Sequence, residues 1–135
     1  MRYDILKKIR AVLVADTTIH TYVGDNITVN KLPKSKIAKQ ITIRKAYGKS
    51  NSIVPICTQD VYIEVWVQQK EVTEPYKTCV EIIERIIDLL NRKGETLNPG
   101  DLIINQIVRT DAEVDYDESQ EYWNGTIVLE CTTSD

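Results

Sequence analysis

Residues 58–92 read TQDVYIEVWVQQKEVTEPYKTCVEIIERIIDLLNR, and this stretch decides the fold. In its first twelve residues Val61, Ile63, Val65 and Val67 alternate with Tyr62, Glu64, Trp66 and Gln68. A period of two is the mark of a β-strand with one apolar face. From Glu74 the period changes to that of a helix. Tyr76, Val80, Ile83, Ile87 and Leu90 form one stripe, and Cys79, Ile82, Ile86 and Leu89 form a second beside it. Thr73 or Glu74 is placed to cap this helix, Pro75 fits its first turn, and Gly94 follows as the stop. A double stripe of about 27 Å is what a helix needs to lie across a sheet. Glu81–Arg85 and Asp88–Arg92 are expected to pair across its wet face.

Outward from this unit the chain reads as alternating elements. Towards the N-terminus, Ile5, Leu6, Ile9, Val12 and Leu13 give an amphipathic helix over 3–14, and Asp16 or Thr17 caps a short turn that Gly24 ends. Ile27 and Val29 mark a short strand, NKLPKSKIAKQ (30–40) an exposed loop, and Ile41 and Ile43 a strand reaching Lys45. Residues 46–55 are a second loop. Towards the C-terminus, residues 102–117 and 120–133 are two long strands joined by a short polar link, an antiparallel hairpin. Abundant isoleucine and valine, with no phenylalanine, suit a β-branched sheet core. The expectation is one α+β domain over 1–135: a mixed or antiparallel sheet packed on one face by the N-terminal helix and the long amphipathic helix, closed by the C-terminal hairpin.

Composition narrows the chemistry. At 135 residues, 42% hydrophobic and 27% charged, the chain is an ordinary globular domain large enough to bury a core without a metal or disulfide staple. No apolar run approaches a membrane span. Charge interleaved through MRYDILKKIRAVLVAD argues against a signal peptide. Cys57, Cys79 and Cys131 are odd in number and far apart, as expected of reduced, buried thiols. With His20 as the single histidine, a zinc site or a histidine-based triad is not expected. No phosphate-cradling glycine motif occurs. Net charge is −3 but lopsided: residues 1–55 carry 11 Lys/Arg against 3 Asp, and residues 56–135 carry 6 against 17 Asp/Glu. If the halves map to different faces, the molecule is two-ended, which suits head-to-tail assembly. The alternative is that basic and acidic strands merely neighbour one another.

Three sets of residues are candidates for function. Lys31, Lys34, Lys36 and Lys39 lie within nine residues on a proline-containing loop and could touch nucleic-acid phosphates without reading bases. Asp111, Glu113, Asp115 and Asp117 recur at every second residue and share a strand face. A calcium loop fails, because Tyr116 and Tyr122 occupy positions that require Gly and Glu. These carboxylates could still serve a small metal-dependent enzyme, though a solvated hairpin tip explains them better. The Asn124-Gly125-Thr126 triplet fits a glycosylation sequon but reads better as a strand irregularity or a coincidence. Tyr47, Tyr62, Trp66, Tyr122 and Trp123 are candidate interface aromatics.

Taken in order, IHTYVGDNITVNKLP, ITIRKAYG, VYIEVWVQ, CVEIIERIIDLLN and VRTDAEVDYDESQEYWNGTIVLECTT span nearly the whole chain. This succession resembles the tail terminator (tail completion) proteins of long-tailed bacteriophages. The resemblance implies a small α+β virion protein, not an enzyme and without a cofactor. It implies self-association into a ring, a hexamer in that family, at the head-proximal end of the tail tube, assembled in the host bacterial cytoplasm. Its implied partners are other copies of itself, the tail-tube protein and the head–tail connector or neck protein. Passing genomic DNA would be touched non-specifically, and no membrane is involved. The likeness does not assign individual residues to these contacts; as separate hypotheses, the lysine loop could face the lumen and residues 47–55 could reach an axial partner. The alternatives are a neighbouring neck or head-closure component, a metal-dependent enzyme using the Asp111–Asp117 carboxylates, and a cellular adaptor domain.

Overall fold

The computed structural model describes residues 2–34, 36–45, 49–50, 56–90 and 103–134. Two helices, α1 (Arg2–Ala15) and α2 (Thr17–Val23), precede three strands, β1 (Ile27–Val29), β2 (Lys39–Lys45) and β3 (Lys49–Ser50). The long strand β4 (Ile56–Gln68), the helix α3 (Pro75–Leu90) and the strands β5 (Ile103–Asp117) and β6 (Tyr122–Ser134) complete the chain. All six strands join one mixed sheet in the order β1-β2-β4-β6-β5, with β3 pairing the start of β4. β1 runs parallel to β2, and every other pairing is antiparallel. The α+β expectation holds, hairpin included.

The strand period places the core. Val61, Ile63, Val65 and Val67 of β4 stand opposite Leu129, Ile127, Gly125 and Trp123 of β6. On β4's other side, Ile63 and Val65 stand opposite Ile43 and Ile41. These apolar side chains form one face, and all three helices close over it. α3 contributes Cys79, Ile82, Ile83, Ile86 and Leu90, α1 contributes Leu6, Ile9 and Leu13, and α2 contributes Ile19 and Val23. Full burial of such side chains stabilises by roughly 1.5–3 kcal/mol each before chain entropy is set against it. Glu74 opens α3 in the left-handed region (φ 55°), and its carbonyl accepts the first helical bond from the Thr78 N–H. α2 begins at Asp16, whose carboxylate accepts the Ile19 N–H at 3.0 Å. It ends at Gly24 (φ 59°, ψ −128°), a backbone conformation that side chains disfavour.

Asp16 also ties the helices together. Arg85 of α3 donates to it twice, Nε to Oδ2 at 3.1 Å and Nη2 to Oδ1 at 2.7 Å. The Tyr22 hydroxyl donates to Glu81 at 2.9 Å. The expected Glu81–Arg85 pairing along α3 is therefore replaced by two contacts with α2. A fork-to-carboxylate geometry onto a largely buried partner outcompetes an exposed helical pair. Arg92 and Gly94 lie outside the described residues.

Two further expectations are corrected. Asn124-Gly125-Thr126 is no irregularity, since it pairs with β4 in unbroken register. The ladder shifts lie in β5, at Ile104/Gln106 and Arg109/Asp111. Tyr76 does not share the buried stripe of α3. It stands 53% exposed in the first turn, with its ring on Trp123.

Candidate functional site

The sheet face away from the helices is built from the alternate residues. Gln40, Thr42 and Arg44 of β2 lie opposite Trp66, Glu64 and Tyr62 of β4. Those in turn lie opposite Asn124, Thr126 and Val128 of β6. Two pairs of side chains here bond across strands. Arg44 donates to Glu64 at 2.7 Å, and its guanidinium lies 4.4 Å from the Tyr62 ring centroid. Trp66 Nε1 donates to the Thr42 hydroxyl at 3.1 Å. Trp66 also meets Tyr122 edge to face, with ring centroids 6.3 Å apart. Tyr62, Trp66 and Tyr122 thus share one face, whereas Trp123 points to the helix side. Tyr47 lies outside the described residues.

Parallel pairing of β1 with β2 obliges the chain to cross over between them. The crossover, described over residues 30–34 and 36–38, meets this open face where Lys34 and Ile37 contact Gln40 and Tyr122. It leaves β1 at Asn30, which adopts φ 55° and donates its N–H to the Ile43 carbonyl at 2.8 Å. Gln40, buried to 3% exposure, then grips its backbone from both sides: Lys34 N–H donates to Oε1 at 2.9 Å, and Nε2 donates to the Lys34 carbonyl at 2.7 Å. The Tyr122 hydroxyl lies 3.3 Å from the Lys34 carbonyl and 3.2 Å from that of Ile37, and it accepts from Gln68 Nε2 at 3.1 Å. A segment rich in lysine is thereby fixed through its main chain.

The four lysines do not share one surface. Lys34 and Lys36 project from the crossover, exposed. Lys31 is exposed at the β1 edge and lines an open groove of about 490 Å³ with Lys7 and Arg10 of α1 and Ile27, Thr28 and Val29 of β1. Lys39 is half-buried as the first residue of β2, not part of the loop, and its register opposite Val67 places it on the helix side.

The acidic strand keeps its predicted alternation. Asp111, Glu113, Asp115 and Asp117 pair with Val128, Thr126, Asn124 and Tyr122, so all four register positions fall on the open face. Asp117 is already engaged in the turn. Its Oδ1 accepts from the Ser119 hydroxyl at 2.7 Å, the Ser119 N–H at 3.0 Å and the Gln120 N–H at 3.3 Å. These bonds, the Ser119 hydroxyl first, hold its carboxyl below the usual range. The side chains of Asp111 and Glu113 lie outside the described residues. Among the described residues no three His, Cys, Asp or Glu side chains converge to hold a metal ion. Cys79 is buried beneath α3, and burial pushes its thiol up to about 12, far from a reactive thiolate.

One grouping was not singled out in the sequence. Trp123 on the helix side of β6 receives Tyr76 from α3 at 5.2 Å and Tyr116 from β5 at 5.0 Å between ring centroids. The alternation of Tyr116 with Asp115 and Asp117 was the available signal, since it turns Tyr116 away from the carboxylates. Tyr76 was masked by its fit to the helix stripe.

The charge asymmetry has a spatial counterpart. Residues 1–55 supply α1, α2 and the β1–β2 side of the sheet, while residues 56–135 supply β4, β6, β5 and α3. Basic and acidic sequence are therefore separated along the sheet, with β1 at one edge and β5 at the other. Among the described residues no helix is long and apolar enough to cross a membrane.

No protein-family model matches the chain, and no curated protein matches its sequence. Among solved structures, the fold is similar to a chain in the virion of a native gene transfer agent (GTA) particle. That likeness has a TM-score of 0.76 at 13% identity and covers 94% of this chain and 92% of the other. At that identity the similarity is one of fold, and it extends over most of both chains.

Proposed function

We propose that this chain is a structural protein of a phage-like virion and acts as its tail terminator. Copies form a ring at the head-proximal end of the tail tube. The ring ends tube polymerisation and offers the joining surface to the head connector. The observation that carries this reading is the fold likeness, over most of both chains, to a chain of a gene transfer agent virion. The terminator resemblance of the sequence supplies the specific role. The separation of charge along the sheet supports it, since a ring needs two different patches on each copy. No catalytic step is assigned. The open face with Lys34 and Lys36 is the surface assigned to the lumen, where DNA would pass.

The test is reconstitution. Purified protein is mixed with the tail-tube protein of the same particle, and separately with its connector, and tube ends are imaged by electron microscopy. Tubes that stop growing and carry a ring at one end are expected. Binding to the connector without any effect on tubes would replace this reading with that of a neck or head-closure component. A large rise in melting temperature with manganese or magnesium, with no binding to either protein, would favour the enzyme alternative.

A further inference from the structure

Among the described residues, the large apolar side chains that stand exposed are Leu32 (87%), Tyr76 (53%) and Tyr116 (37%). They belong to two patches of opposite character. Leu32 follows Lys31, next to the groove that Lys7 and Arg10 also line at the β1 edge. Tyr76 and Tyr116 flank Trp123 at the far side of the sheet, beside the turn that carries Asp117, Glu118 and Glu121. Lys70 pairs with Glu121 at 2.9 Å, so that turn is left net acidic. Both patches adjoin the helix layer, since α1 lines the first and α3 supplies Tyr76 to the second.

We infer that these patches are the two halves of one contact between copies of this chain: Leu32 and Lys31 of one protomer seat on the Tyr76–Trp123–Tyr116 platform of the next. The inference rests on the ring reading above and assigns its lateral surface. An aromatic platform with an acidic border is suited to an apolar knob with a basic neighbour, because apolar contact and opposite charge then coincide. The two patches are different surfaces, one at the β1 edge and the other built on β5, β6 and α3, so the contact is heterologous and propagates from copy to copy. It leaves Lys34 and Lys36 outside the contact, on the open face.

Complementation distinguishes this contact from others. Leu32→Asp removes the knob and keeps the platform. Tyr76→Asp spoils the platform and keeps the knob, in a first helical turn that favours a carboxylate. Mass is measured by light scattering and sedimentation for the wild type, each variant and an equimolar mixture. The wild type is expected to assemble, and more weakly at high salt. Each variant alone is expected to be monomeric at 15.5 kDa, with self-affinity reduced about 30-fold or more. The mixture is expected to stop at a dimer of twice that mass, because one intact contact remains between unlike partners. Variants that still assemble like the wild type overturn this contact and leave the ring reading standing. Monomeric variants whose mixture gives no dimer overturn it too. A wild type that stays monomeric, alone and with tube protein, overturns the contact together with the ring reading.

Discussion

Replacing Asp16 by alanine removes two functions of one carboxylate, and asparagine separates them. Asp16 caps α2 through the Ile19 N–H at 3.0 Å and receives the Arg85 fork at 3.1 and 2.7 Å. A lost cap costs about 1 kcal/mol. The paired carboxylate, whose side chain is 10% exposed, contributes about 1–2 kcal/mol more. That second figure is discounted because Arg85 is 34% exposed and keeps Asp88 at 3.3 Å as a second partner. Asp16→Ala is therefore expected to cost about 2–3 kcal/mol, and Asp16→Asn, a good cap without the charge, about 1–2 kcal/mol. Urea unfolding with unchanged m-values would measure both.

The effect also has a pH signature. Hydrogen bonds from Arg85, foremost, and from the Ile19 N–H hold the Asp16 carboxyl below its ordinary value. A depressed folded-state value means stability present above the unfolded carboxyl's pKa, about 4, and lost as pH falls through the lower folded value. The wild-type advantage over Asp16→Asn should thus be full at neutral pH and shrink in acid below about pH 4. If it persists undiminished at the acid end, or if Asn costs as much as Ala, the separation into cap and ion pair is wrong.

Other consequences are as direct. Tyr122→Phe removes the hydroxyl that meets the Lys34 and Ile37 carbonyls and should cost about 1–2 kcal/mol; amide exchange over residues 34–38 should quicken, and unchanged exchange would refute the anchoring role. Cys79, with its thiol pushed up to about 12 by burial, should resist alkylation in the native protein and react in urea, as peptide mapping would show. Gly24→Ala meets no atom within 4 Å but must hold φ 59°, so a loss of about 1–2 kcal/mol from backbone strain alone is expected by thermal unfolding. Lys34→Glu with Lys36→Glu should leave ring assembly intact and impair DNA retention or passage; full infectivity of such particles would remove DNA contact from the account of this face.

Much of the fold was legible because two periodicities change sharply at Glu74. Val61, Ile63, Val65 and Val67 are buried as alternation requires, and of the two helix stripes Cys79, Ile82, Ile83, Ile86 and Leu90 are buried, with Val80, Ile87 and Leu89 half-buried at the margins. Less legible was what depends on contacts between distant residues. Arg85 reads locally as a partner for Glu81, but Asp16 lies 69 residues away in the chain and is the better acceptor. Tyr76 fits the helix stripe, yet its ring lies against Trp123 and remains 53% exposed at the surface. Lys39 follows the loop in composition and the strand in structure, because β2 begins two residues before its first isoleucine. The lysine cluster was visible as a count, whereas its division between edge, open face and helix side is set by the parallel crossover, which no local pattern announces.

That crossover is held at Lys34 by amide and carbonyl, with Gln40 and Tyr122 as the clamps. None of these bonds uses a lysine side chain. The scaffold is thus indifferent to what residues 34 and 36 present, and the segment behaves as a display position. Its surface chemistry can drift, or be redesigned by library selection, while the clamp residues stay constant and keep the loop in place.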